Sequence, residues 1–155
     1  MWRRVVDYLE SILTVYLSSV VMHEGFHLAV ILLLGGSGAI HLQCVFLFWV
    51  TGFVEWEVLL PEAVASWGYP LVYLSGGLLT GLLLLWSYTS DSDREDRACK
   101  FVLGWIHLAY SFAEMLLAWY PHWVYEWVSL ALVCIAAGLS TLYVLRREYS
   151  KYPEG

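Results

Sequence analysis

His23, Glu24 and His27 stand together in the run His23-Glu24-Gly25-Phe26-His27, two imidazoles four residues apart with a carboxylate between them. On a helix, residues four apart share a face, so both rings can reach one metal ion while Glu24 addresses its open side. Zinc accepts such a set. A catalytic zinc takes three protein ligands and a water, brings the pKa of that water to about 7, and lets a nearby carboxylate remove its proton. Glu24 is the candidate base. The pattern arises by chance in about one chain of this composition in a hundred, so its position decides. The run lies deep in an apolar segment, where ionisable side chains are costly and mark function.

The third ligand must come from another segment, and Trp105-Ile-His-Leu-Ala-Tyr-Ser-Phe-Ala-Glu114 offers two candidates. Glu114 is the acidic residue of that segment, and two histidines with one carboxylate is a common catalytic zinc set. His107 precedes it by two helical turns and shares its face, which leaves it open as an alternative ligand or as a hydrogen-bonded neighbour of the ligands. A non-enzymatic reading uses the same four residues, His23, His27, His107 and Glu114, as a transit or sensing site in a metal transporter or sensor, and another has a degenerate protease that binds membrane partners without cutting them.

The elements that position these residues follow from composition. Of 155 residues, 60% are apolar and 14% charged, with a mean hydropathy of +0.64, whereas a water-soluble domain carries about a quarter charged residues. Nine Trp and eleven Tyr suit a membrane interface. A net charge of −6 without a basic stripe argues against nucleic acid. Cys44, Cys99 and Cys134 lack a framework spacing and read as small packing residues.

A spanning helix needs about 20 apolar residues. Leu9–Leu34, Tyr69–Tyr88, Phe101–Trp119 and Trp123–Leu145 meet this need, with Pro121 placed to open the last. Thr89–Lys100 reads as a polar loop, and the tail from Arg146 to Gly155 reads as frayed. Ala39–Leu60 is rich in β-branched and aromatic residues and alternates at Val54-Glu-Trp-Glu-Val58, which predicts a hairpin. With four spans, all eight basic residues fall on one face, and both termini are expected in the cytoplasm. The first apolar run is too long for a cleaved signal and is expected to stay as an anchor. The expected fold is thus an α-helical integral membrane protein, one domain over residues 1–155, with four spans and a hairpin between the first two.

Ser75-Gly-Gly-Leu-Leu-Thr-Gly81 places small residues at helical spacing, whose usual meaning is close helix packing. A functional reading has backbone exposed near Gly76 and Gly77 and a hydroxyl offered by Thr80. His41 and Gln43 read as rim residues or substrate contacts, His122 and Glu126 as interfacial, and Glu55, Glu57 and Glu62 as a solvated edge.

Taken in order, these features resemble the site-2 protease family of intramembrane zinc metalloproteases in a minimal form. His23-Glu24-x-x-His27 matches the family motif, the Ala39–Leu60 insert its hairpin, and Gly76-Gly-Leu-Leu-Thr80 stands where the family often has G-P-x-x-N. The family's usual third ligand is an Asp, and here Glu114 takes that place. Many relatives carry a PDZ domain where this chain has Thr89–Lys100. The resemblance implies zinc on His23, His27 and Glu114, with Glu24 as base. It further implies peptide-bond hydrolysis in membrane-embedded protein substrates.

Overall fold

The computed structural model describes residues 2–46, 49–91 and 93–149. Helix α1 (Trp2–Leu33) is followed by strands β1 (Ser37–Phe46) and β2 (Trp49–Glu57). Helices α2 (Glu62–Ser90), α3 (Arg94–Met115) and α4 (His122–Tyr149) complete the chain, with a single 3-10 turn at Leu116–Ala118. Four helical stretches are long and apolar enough to cross a membrane: Leu9–Leu33, Glu62–Ser90, Glu95–Ala118 and His122–Arg147.

Each boundary has a local cause. Gly35, at φ 80°, ends α1, a left-handed position that costs glycine little. There the Gly36 N–H donates to Ile31 O at 2.9 Å and the Gly35 N–H to Leu32 O at 3.0 Å, which satisfies the last carbonyls. Helix α2 starts seven residues before the expected Tyr69, because Pro61 precedes its first turn and its carbonyl accepts the N–H groups of Val64 and Ala65. Pro70 consequently lies inside the helix. The expected loop Thr89–Lys100 is also corrected: only residues 91–93 separate α2 from α3. The Asp93 side chain caps α3 by accepting from Glu95 N at 2.8 Å and Asp96 N at 3.1 Å, and both of those residues are acids that favour a first turn. Helix α4 runs on to Tyr149 through part of the expected frayed tail, while residues 150–155 lie outside the described residues.

The hairpin spans residues 37–57 rather than 39–60, is antiparallel, and pairs Leu42 with Gly52 and His41 with Phe53. Val58–Leu60 leave the sheet, and the Tyr69 hydroxyl donates to the Val58 carbonyl at 3.3 Å. Pleating divides the residues between two faces. Gly38, Gly52 and Trp56 face the helices, with Trp56 6.0 Å from the Tyr73 ring. His41, Phe53, Glu55 and Glu57 face outward and are exposed.

Helix α2 is the central helix, with 39% of its apolar window buried against 6% for α4. Glycines let α2 and α3 approach: a Cβ on Gly81 would meet Gly104 O at 2.8 Å, and one on Gly77 would meet His107 O at 2.5 Å. This is the close helix contact expected where apolar solvent provides little drive for association. Helix α4 packs chiefly on α3, is tied to α2 by the Arg147 guanidinium donating to the Tyr88 hydroxyl, and exposes Trp127, Leu130, Ile135, Leu139 and Leu142. Of the cysteines, only Cys99 is buried, so the packing expectation fails for Cys44 and Cys134.

Candidate metal centre

Helix α1 places His23 and His27 on one face, one turn apart, as the spacing dictates. Across the bundle, α3 brings Glu114 to the same point from 91 residues away. The His23 Nε2 and His27 Nε2 atoms are 3.0 Å apart. Glu114 Oε2 lies 3.2 Å from the first and 3.5 Å from the second. His23 is 4% exposed and His27 6%, so both imidazoles are buried, while the Glu114 side chain keeps 12% of its surface exposed.

Three atoms that can each offer a lone pair thus converge in a buried place, and His23 Nε2 also lies 3.4 Å from Glu114 Oε1; with all of them as acceptors the arrangement repels unless a proton or a cation lies between them. Glu114 Oε2 is buried without a hydrogen bond, because its contacts with the two rings lack hydrogen-bond geometry. Ligands held about 2.0–2.1 Å from a tetrahedral zinc stand about 3.3–3.4 Å from one another. The observed separations of 3.0, 3.2 and 3.5 Å bracket that value, so the residues present fit such an ion.

The outer nitrogens fit as well. His27 Nδ1 lies 2.7 Å from Val72 O and donates to it, which leaves Nε2 as the lone-pair donor. Ser75 Oγ donates to the same carbonyl at 2.7 Å. His23 Nδ1 lies 3.2 Å from His107 Nδ1. His107 therefore stands behind His23, on the side away from the converging atoms, and contacts that ring instead of joining the triad. Of the two third-ligand candidates, geometry brings Glu114 to the centre.

Glycines shape the remaining walls. A Cβ on Gly76 would lie 2.3 Å from His27 Nε2, so the absence of a side chain makes room for that imidazole. Its neighbour Gly77 serves the packing of α3, so the two adjacent residues divide the packing and site roles that the sequence left open. Gly52 of β2 performs a similar service for Glu24: a Cβ there would lie 2.4 Å from Glu24 Cγ and 2.9 Å from Oε1. Glu24 is 6% exposed beneath the strand. The Tyr16 hydroxyl donates to Val50 O and ties α1 to β2 close by.

Thr80, one turn after Gly76 on the same face of α2, is fully buried, and among the described residues its hydroxyl has no hydrogen-bond partner. Other sequence candidates lie elsewhere. His41 pairs with Glu55 at 3.2 Å on the outer hairpin face, and Gln43 is exposed beside it. His122 and Glu126 pair with each other at 3.3 Å, exposed at the head of α4. The sequence points to packing for Ser75 and to a hairpin around Gly52, but it assigns neither of them a place at the centre, nor Tyr110, whose ring centre is 5.6 Å from that of His23. A glycine inside a strand of bulky residues was the available signal for Gly52, since it marks close approach of another group.

Compared with protein-family models, with curated proteins and with solved structures, the chain finds no match.

Proposed function

We propose that this protein is an intramembrane zinc metalloprotease, similar to the site-2 protease family, that hydrolyses peptide bonds of membrane-embedded protein substrates. The observation that carries this reading is the convergence of His23 Nε2, His27 Nε2 and the orphaned Glu114 Oε2 beside Glu24, a carboxylate that coordination does not require. His23, His27 and Glu114 hold the zinc, which when bound supplies a Lewis acid for the scissile carbonyl and acidifies water. Glu24 takes the proton of the attacking water and returns it to the leaving nitrogen. His107 and the Val72 carbonyl hold the two ligand rings in the tautomers that coordination needs.

The four apolar helices span the bilayer, with both termini in the cytoplasm, where the Arg and Lys residues gather. A substrate helix hides its carbonyls in hydrogen bonds and must unwind before cleavage. An extended segment pairing with an edge of the β1–β2 hairpin would hold it open. A proline placed at that edge reduces processing if pairing occurs.

The enclosure of the triad also suits a second reading, a metal sensor or carrier without hydrolytic activity. Zinc content of the detergent-purified protein, wild type beside His23→Ala, tests the site, with stoichiometric zinc expected only in the wild type. Glu24→Gln then separates the readings. Retained zinc with loss of cleavage supports the protease; cleavage that survives Glu24→Gln refutes the mechanism.

A further inference from the structure

Tyr110 lies one helical turn before Glu114 and one after His107, on the face of α3 that lines the candidate centre. Its ring is 5.6 Å from that of His23. Its hydroxyl meets the hydroxyl of Tyr125, which α4 contributes from outside the three packed helices. Both tyrosines are half-buried.

Proton accounting gives this pair a role. Two phenols carry two hydroxyl hydrogens, and their mutual bond uses one. Among the described residues no other acceptor takes the second. The rest of the centre is short of donors. Glu24 and Glu114 are acceptors when ionised, the His27 Nδ1–H is committed to Val72 O, and Ser75 Oγ donates to that same carbonyl. The His23 Nδ1 faces His107 on the far side. A carbonyl oxygen that gathers negative charge during hydrolysis needs a donor already in place, and when Tyr125 donates in the mutual bond the Tyr110 hydrogen is free to serve, on the tyrosine whose ring lies beside His23.

We propose that Tyr110 donates a hydrogen bond to the carbonyl oxygen of the scissile peptide, and that Tyr125 orients the Tyr110 hydroxyl for it. Tyr110 is then a catalytic residue and Tyr125 a positioning residue. This inference rests on the hydrolase reading. It also gives α4, otherwise a peripheral helix, a direct link to the site through its first turns.

The test compares two ligands on the full-length, zinc-loaded protein: a Leu/Ala peptide with its amide intact, and the same peptide with one amide replaced by a tetrahedral phosphinate. Affinities are read by fluorescence anisotropy for wild type, Tyr110→Phe and Tyr125→Phe, with zinc content and melting temperature measured alongside. Tyr110→Phe is expected to weaken the phosphinate by about tenfold or more while the planar peptide changes less than about twofold and zinc is retained. Tyr125→Phe shifts the same ratio by less. If Tyr110→Phe leaves the phosphinate affinity within about twofold, or weakens both ligands equally with a lower melting temperature, the pair merely ties α3 to α4 and the proposal falls. A wild type that binds neither ligand defeats the hydrolase reading itself, a result distinguishable from a wild type that prefers the phosphinate and a variant that shares the preference.

Discussion

Gly76→Ala adds one methyl group to a helix, a change that ordinarily raises helix stability by about 0.5–1 kcal/mol. Here the added Cβ would stand 2.3, 2.5 and 2.7 Å from His27 Nε2, Cδ2 and Cε1, where ordinary contacts begin near 3.4 Å. The ring must therefore retreat by about 1 Å, while zinc–ligand distances tolerate about 0.2 Å. Its other nitrogen is held at 2.7 Å by the Val72 carbonyl of the same helix, so the ring cannot slide away without breaking that bond. The expected outcome is a protein that folds with an unchanged or higher melting temperature in the metal-free form, yet binds zinc at least about 10–100-fold more weakly. Competition against a chromophoric chelator measures the affinity, and circular dichroism in detergent measures the fold. Gly25→Ala is the control, because a Cβ at Gly25 meets nothing within 4 Å despite its place between the two histidines. It should gain helix stability and keep its zinc. A Gly76→Ala protein with wild-type zinc affinity would refute the placement of His27 and, with it, the assignment of the centre.

Gly52→Ala pushes on Glu24, whose Cγ would lie 2.4 Å from the new methyl and which supplies its three nearest atoms. Cleavage should fall while zinc remains stoichiometric, and a variant that loses both would place Glu24 among the ligands. His107→Ala removes the partner of His23 Nδ1 and should weaken zinc by about 10–100-fold without abolishing binding, as chelator titration would show; complete loss would make His107 a ligand. Thr80→Val replaces a buried, unpartnered hydroxyl with a methyl of similar shape, so the melting temperature should hold or rise, and a clear fall would reveal a partner for Thr80. The Lys100 ammonium bonded to Asp91, helped by the Asp93 N–H, holds the Asp91 carboxyl below the ordinary carboxylate range. A lowered folded-state pKa means that this clip between α2 and α3 stabilises fully above the unfolded value of about 3.9 and is lost as pH falls through the folded value. A carboxyl titration followed by NMR should give an Asp91 midpoint below about 3.9 that returns toward it in Lys100→Met; equal midpoints would show that the clip does not form.

The residue pattern was enough to establish what depends on neighbours along the chain. A four-residue spacing puts His23 and His27 on one face wherever that helix lies, and apolar runs of spanning length announce four helices whatever their packing. The hairpin was legible in the alternation around Val54–Val58. Polar composition misled at Thr89–Lys100, because helix capping by Asp93 outweighs low hydropathy when an acidic first turn follows. Tertiary structure alone decided what joins distant segments. Glu114 and His107 share a helix face, and the sequence favours Glu114 as third ligand only by its residue type, with His107 left as the alternative. Gly77 and Gly81 of α2 let α3 seat closely at His107 and Gly104, and that seating delivers a carboxylate to the two imidazoles and leaves His107 behind His23. The roles of Gly52, Gly76 and Tyr110 are likewise relations between surfaces. A missing Cβ or a spare hydroxyl hydrogen acquires meaning only when the group opposite it is known.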